Sequence, residues 1–263
     1  MNKLTAKIIV WHGVVAVLVW WMWEAGKRVG FNTVTGVDIQ LPSFVAFLLL
    51  IAVIVLGYIL FRQRRWSASI AGILGVSFLM AFGWSWLNLL SVGIVLGFNF
   101  WSATRVRREI NERRILNIRD AFYHGLMPVV LGLFVMISFA AYQGPLLNEI
   151  KDAQQLPSQA QIFFKQIVEG TVGQKIKAPA EQRNWIINEI ASQTLQQING
   201  VMKPYFQYAP PILAFGLFLI LWGLSFLFIW LGILVGMILY WILKKTHVVK
   251  IEKQQVEAEI LVV

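Results

Sequence analysis

The chain has 263 residues, of which 58% are hydrophobic and only 14% charged, and a formal net charge of +10. A water-soluble domain carries about 25% charged residues, so a soluble enzyme fold is excluded, and the disordered, collagenous and disulfide-framework classes fall on composition as well. What remains is an all-α, polytopic helical membrane protein. With no cysteine at all, disulfides and thiolate metal ligands are impossible and the redox compartment stays open.

A helix needs about 20 apolar residues to cross a hydrocarbon layer of about 30 Å. The first run, 8–23, is slightly short and carries His12, and Trp20, Trp21 and Trp23 lead it into Glu24. No small-residue cleavage pattern follows, so it reads as a retained span rather than a signal peptide. Asn32, Gly36 and Asp38 mark a loop, and Pro42 precedes a clean second span, 44–61, that ends on Arg62, Arg64 and Arg65. The next apolar run, 68–101, is too long for one crossing, since a single helix over it would measure about 51 Å. Its polar interruption, Gly83-Trp84-Ser85-Trp86-Leu87-Asn88, predicts two helices, 68–83 and 86–101, closing as a hairpin. A basic cytoplasmic helix over 102–120 and a further span over 122–142 complete an N-terminal transmembrane region, 1–142.

Residues 143–209 are polar by comparison and predict a small extracytoplasmic helical domain. Ala160, Phe163, Phe164, Ile167 and Val168 recur at helical spacing, as do Ile187, Ala191, Leu195, Ile198 and Met202, and Pro157 and Pro179 mark helix starts. The last apolar run, 210–243, is again overlong. It crosses either once, long or broken, or as a second hairpin turned at Gly223 and Ser225. The tail, 244–263, ends in alternating apolar and acidic residues from Val256 to Ile260, which suits a short strand, disorder, or addition to a partner's sheet edge.

Lys and Arg concentrate on the cytoplasmic side of a multispan protein. With the N-terminus inside and about six transmembrane crossings, that side holds 15 of the 23 basic residues against 6 acidic ones. The other side holds 8 basic and 7 acidic, so the division is +9 against +1. Both termini are therefore expected in the cytoplasm and 143–209 outside, in a plasma or inner membrane. Tryptophan favours the bilayer interfaces and gives the same answer. Trp20, Trp21, Trp23, Trp84 and Trp86 fall at outer ends, and Trp11, Trp66, Trp101 and Trp241 at inner ends.

Three groups of residues invite a role. Gly93 with Gly97, and Gly232 with Gly236, are small-xxx-small pairs that let a second helix approach closely. Arg105, Arg107, Arg108, Arg113, Arg114 and Arg119 are expected to meet anionic lipid phosphates at the cytoplasmic face, a topology-setting loop being the plainer alternative. The lack of interleaved aromatics argues against nucleic acid. His12, Asn88 and Asn99 are the polar side chains expected within the membrane, with hydrogen bonding between helices as their ordinary use. None of the 13 carboxylates lies in a proposed core, which disfavours an ion-coupled transporter built from a single chain. No metal or P-loop motif is present, and Ser85 with a distant His12 or His124 makes no credible dyad. No cofactor and no catalytic residue is expected. The leading expectation is a non-catalytic integral membrane component of the cell envelope, a scaffold or assembly factor that binds a protein partner through 143–209. An oligomeric channel or transporter subunit, formed from several copies, is the alternative, and a membrane-embedded enzyme the third.

Overall fold

The computed structural model describes residues 3–29, 41–61, 63–112, 117–143, 165–170 and 179–249. The principal helices are α1 (Lys3–Val29), α2 (Leu41–Leu60), α3 (Arg64–Phe82), α4 (Trp86–Glu112), α5 (Ile118–Tyr142), α6 (Ala180–Met202), α7 (Ala209–Gly223) and α8 (Ser225–Lys245), with a 3₁₀ segment, Lys203–Tyr208, between α6 and α7. Among the described residues six helices, α1 to α5 and α8, are long and apolar enough to cross a membrane. The chain is a helical polytopic membrane protein.

α2 and α5 form the centre of the bundle. Leu50, Ile51, Ile54, Leu56 and Tyr58 of α2, and Phe122, Leu126, Val130 and Leu133 of α5, are fully buried. A helix that is apolar all round belongs in such a position, and α2 has no charged residue between Leu41 and Leu60. α1, α3, α4 and α8 surround the pair and turn much of their apolar surface outward, as with Val10, Val17, Met80, Phe100 and Trp230. In a bilayer those side chains face lipid.

Ring contacts give the helix directions. Trp11 meets Phe61 at 6.0 Å, so α1 runs antiparallel to α2. His12 meets Trp66 at one end and Trp23 meets Phe78 at the other, so α1 and α3 run parallel. The chain turns between α3 and α4 at Gly83, whose φ of 86° and ψ of 169° lie in a region almost reserved for glycine. α5 returns antiparallel to α4. The far ends of the chain meet as well, because the Lys7 ammonium donates to the Val248 carbonyl at 2.9 Å. The described N- and C-terminal helix ends therefore share one face of the bundle.

The overlong C-terminal run is kinked and continues in one direction. At Leu224 the N–H still donates to the Ile220 carbonyl, and the Leu227 N–H donates back to Leu224. α7 lies beside Val135, Phe139 and Tyr142 near the end of α5. α8 continues downward, with Phe228 against Phe134 and then Gly236 against Phe122. The two helices follow α5 along its length in the opposite sense.

Two expectations need correction. The basic stretch 102–120 is not one separate surface helix. Residues up to Glu112 prolong α4, because Ala103, Val106 and Ile110 continue its buried face. A new helix then opens at Ile118, where the Asn117 side chain caps the Asp120 N–H; Arg113 and Arg114 lie outside the described residues. The two glycine pairs also differ. A β-carbon on Gly232 would meet Ile51 and Leu126, and one on Gly236 would collide with Phe122, whereas at Gly93 and Gly97 nothing stands within 4 Å. The first pair packs a helix, and the second faces outward.

Beyond the bundle, α6 buries Ile187 and Ala191 against Val168. The expected helix around 160–164 and the alternating tail from Val256 lie outside the described residues.

Candidate functional site

The buried face of α4 is unusually polar for a membrane helix. Asn88, Ser91, Asn99 and Ser102 are all buried, and their spacing keeps them on one side of the helix, directed at α2, α3 and α5. A polar group away from water must be paired or it costs stability, so their partners decide what this face can do.

At the end nearest the α3–α4 turn the face forms a clasp. The Asn88 amide donates to the carbonyls of Phe82 (3.2 Å) and Gly83 (2.8 Å), the last residues before the turn. The Ser85 hydroxyl accepts from the Asn88 N–H at 3.2 Å and donates to Gln143 Oε1 at 3.3 Å. Gln143, just past the end of α5, donates its Nε2 to Asn88 Oδ1 at 2.5 Å. Three side chains thus tie the α3–α4 turn to α5.

In the middle, the Tyr58 hydroxyl of α2 donates to Asn99 Oδ1 at 2.6 Å, and Asn99 Nδ2 donates to the Val95 carbonyl of its own helix at 2.9 Å. One turn further, the Ser102 hydroxyl donates to the Gly125 carbonyl of α5 at 2.7 Å. That contact depends on Gly125, where a β-carbon would stand 2.6 Å from Val55 and 2.7 Å from Val106. Ser91 Oγ is buried with no partner among the described residues.

His12 is held by two contacts. Its Nδ1 lies 2.8 Å from the Ile8 carbonyl and its Nε2 lies 2.6 Å from Ser69 Oγ. The carbonyl can only accept, so Nδ1 donates to it; the single proton of the Ser69 hydroxyl is shared between His12 Nε2 and the Trp66 carbonyl, 2.9 Å away. The Ser69–His12 length is that of a nucleophile–base pair. An acyl-transfer site also needs donors for an oxyanion, however, and Ser69 lies beyond the first turn of α3, where the backbone N–H groups are committed to the helix. The pair joins α1 to α3.

At the basic end, the arginines divide. Arg108 pairs with Glu112 at 2.7 Å on the exposed surface, Arg105 lies over the Trp101 ring at 4.4 Å, and Arg119 is exposed. Arg65 covers Trp66 at 4.8 Å and Lys245 covers Trp241 at 5.1 Å. These cation–aromatic pairs on α3, α4 and α8 form a belt of the kind that marks a headgroup boundary. Arg107 instead turns inward, and its Nη2 donates to Ser67 Oγ of α3 at 2.8 Å.

One cavity of about 470 Å³ lies between α4, α5 and α7, lined by Leu87, Ile94, Val135, Phe139, Phe215 and Phe218. Two hydroxyl-bearing residues line it, Tyr142 and Ser138, and Ser138 donates to the Phe134 carbonyl of its own helix, so the contact the space offers is predominantly apolar. Among the described residues no group of three His, Asp or Glu side chains is placed to hold a metal.

Sequence reasoning singled out His12, Asn88 and Asn99 but missed Tyr58, Ser67, Ser69, Ser102 and Gln143. The spacing of Asn88, Ser91, Asn99 and Ser102 on one helix face was a readable signal. Their partners on α2, α3 and α5 were not, because a partner across a bundle has no fixed sequence offset. No protein-family model, no curated protein and no solved structure matches the chain.

Proposed function

We propose that the chain is a non-catalytic integral membrane component of the cell envelope, a scaffold or assembly factor that binds a protein partner through α6 on the extracytoplasmic side. One observation carries this reading. α6 buries Ile187 and Ala191 yet leaves Trp185 68% exposed, on an exposed face with Glu189, Ser192 and Gln193. Large aromatic side chains exposed beside polar ones are typical anchors of protein interfaces. The polar groups of the bundle support the same reading from the other side, since Asn88, Asn99, Ser102 and His12 are taken up in joining helices.

The membrane orientation belongs to the same proposal, with both termini cytoplasmic and α6 outside. It rests on the +9 against +1 division of charge and on the meeting of Lys7 with Val248.

The test is photo-crosslinking in intact cells from positions 185 and 192, with 76 and 237 on the lipid-facing surface as controls. A single protein captured from the first pair alone, and lost in Trp185→Glu, is the expected result. Capture that is equal from all four positions counts against a docking role for α6. A second reading, an oligomeric channel or transporter subunit, is favoured by the open faces of Gly93 and Gly97. Solute flux through reconstituted vesicles that disappears in Gly97→Leu would establish it over the scaffold.

A further inference from the structure

Of the arginines at the basic end, Arg107 is set apart by its surroundings. Its stem leaves α4 beside buried Val106 and its guanidinium is drawn onto the first turn of α3, where Ser67, only 5% exposed, accepts from Nη2 at 2.8 Å. Arg64 opens the same turn, one helical turn before Ser67. Partial burial and the charge of Arg64 both act against the Arg107 cation, an arrangement that an anion beside it would relieve.

Among the described residues no carboxylate does so. Of the described carboxylates near this end, Glu112 pairs with Arg108 at 2.7 Å and Glu109 lies 3.7 Å from His124. Among the described residues neither Arg64 nor Arg107 has an acidic partner. Arg107 Nε is buried with no acceptor, an orphaned donor on a charged group, which is expensive to leave unmade. The backbone of α3 adds to the deficit. Its N-cap residue Gln63 makes no side-chain cap and instead accepts from Arg65 at 2.7 Å. The 19-residue helix therefore presents first-turn N–H groups and the positive end of its dipole at the same place.

We propose that Arg64, Arg107 and Ser67 form a binding site for the phosphate of an anionic lipid headgroup. Arg64 and Arg107 supply the charge, and Ser67 aims the Arg107 fork. Guanidinium suits this task because its planar N–H groups match two phosphate oxygens at once. The lipid source is favoured by position: Arg65 over Trp66 and Arg105 over Trp101 flank the site at the level where aromatic and basic side chains meet headgroups. The proposal concerns the end of the bundle opposite α6 and is independent of what α6 binds. It also sharpens the expectation from sequence, in which six arginines shared a diffuse contact. Here two residues of different helices make a defined one, and Arg64 was not among the six.

The experiment uses the full chain in neutral detergent, with phosphatidic acid titrated in and bound lipid counted by native mass spectrometry. Phosphatidylcholine and inorganic phosphate serve as the comparison ligands, and melting is followed by tryptophan fluorescence. Phosphatidic acid should be retained and phosphatidylcholine not. Arg64→Gln and Arg107→Gln should each weaken retention by about tenfold, the scale of one charge-assisted hydrogen bond. Arg107→Lys should also weaken it, because the charge survives and the fork does not. Arg105→Gln and Arg108→Gln should leave it unchanged. If Arg107→Gln lowers the melting temperature, Arg64→Gln and Ser67→Ala decide the matter in its place. Equal losses in Arg105→Gln and Arg108→Gln would reduce the site to a diffuse field and overturn the proposal. Displacement of phosphatidic acid by an equal concentration of inorganic phosphate would overturn the lipid assignment.

Discussion

Gly236 of α8 rests against the ring of Phe122 in α5, where an added β-carbon would stand 2.6 Å from Cζ. Phe122 is fully buried, so the ring has no free space to move into. Gly236→Ala is expected to destabilise the protein by about 1–3 kcal/mol, the usual cost of overpacking. Gly97→Ala, in a near-copy of the same motif, meets nothing and should be neutral or slightly stabilising through helix propensity. Melting temperatures of the two variants in one detergent check both halves. Equal destabilisation would mean that Gly97 is packed as well, by a second copy of the chain.

The Tyr58–Asn99 bond joins α2 to α4 in the middle of the bundle at 2.6 Å. Tyr58→Phe removes the donor and leaves Asn99 Oδ1 buried without a partner, as Asn99 is only 1% exposed. Interhelical hydrogen bonds in membranes contribute about 0.6–2 kcal/mol, and a loss in that range is expected. Asn99→Leu removes the acceptor and leaves the Tyr58 hydroxyl unpaired in turn. The double variant should therefore be less destabilised than the sum of the singles, and a strictly additive cycle would show that the bond contributes nothing.

How much of this was readable in advance depends on the range of the interaction. The helical class, the hairpin turn near Gly83 and the helix start after Pro179 follow from local chemistry, namely apolar run length, a glycine in a polar interruption flanked by tryptophans, and a proline. The division between the two glycine pairs does not. Gly93-x-x-x-Gly97 and Gly232-x-x-x-Gly236 are alike in sequence, and only the packing of α8 between α2 and α5 makes one pair internal. The end of α4 failed for a related reason. Six arginines suggested a helix lying on the surface, but Ala103, Val106 and Ile110 keep the helical spacing of a buried face, and that quieter pattern decides where the chain runs. Arg64 escaped notice because it was counted with its neighbours as an orientation signal, whereas its place on the first turn of α3 depends on where that helix begins.

Gly83 adopts a φ of 86°, and its carbonyl accepts from the Asn88 amide at 2.8 Å. The surroundings are open, with nothing within 4 Å of an added β-carbon, so any penalty is purely one of backbone conformation. Gly83→Ala is expected to cost about 1–3 kcal/mol. It should also loosen the clasp of Ser85, Asn88 and Gln143, which faster amide hydrogen exchange at residues 85–90 would report. Unchanged exchange together with unchanged melting would show that the turn tolerates an L-residue.

The contact between Lys7 and Val248 makes the orientation of the chain testable with very few positions. Both residues sit at the basic end of the bundle, and α6 is joined to the opposite end through Lys203–Tyr208. The absence of native cysteine allows single Cys variants on a silent background. Trp185→Cys should react with an impermeant maleimide added to intact cells, because Trp185 is well exposed. Glu112→Cys and Val248→Cys should react only after the membrane is permeabilised under the proposed orientation, in which the positive charge of that end favours the cytoplasmic side. Labelling of 112 and 248 with 185 protected would invert the protein and place the Arg64–Arg107 site outside. Labelling of 185 together with 248 would mean that α7 and α8 do not complete one crossing, and the kink at Leu224 would then have to be a turn.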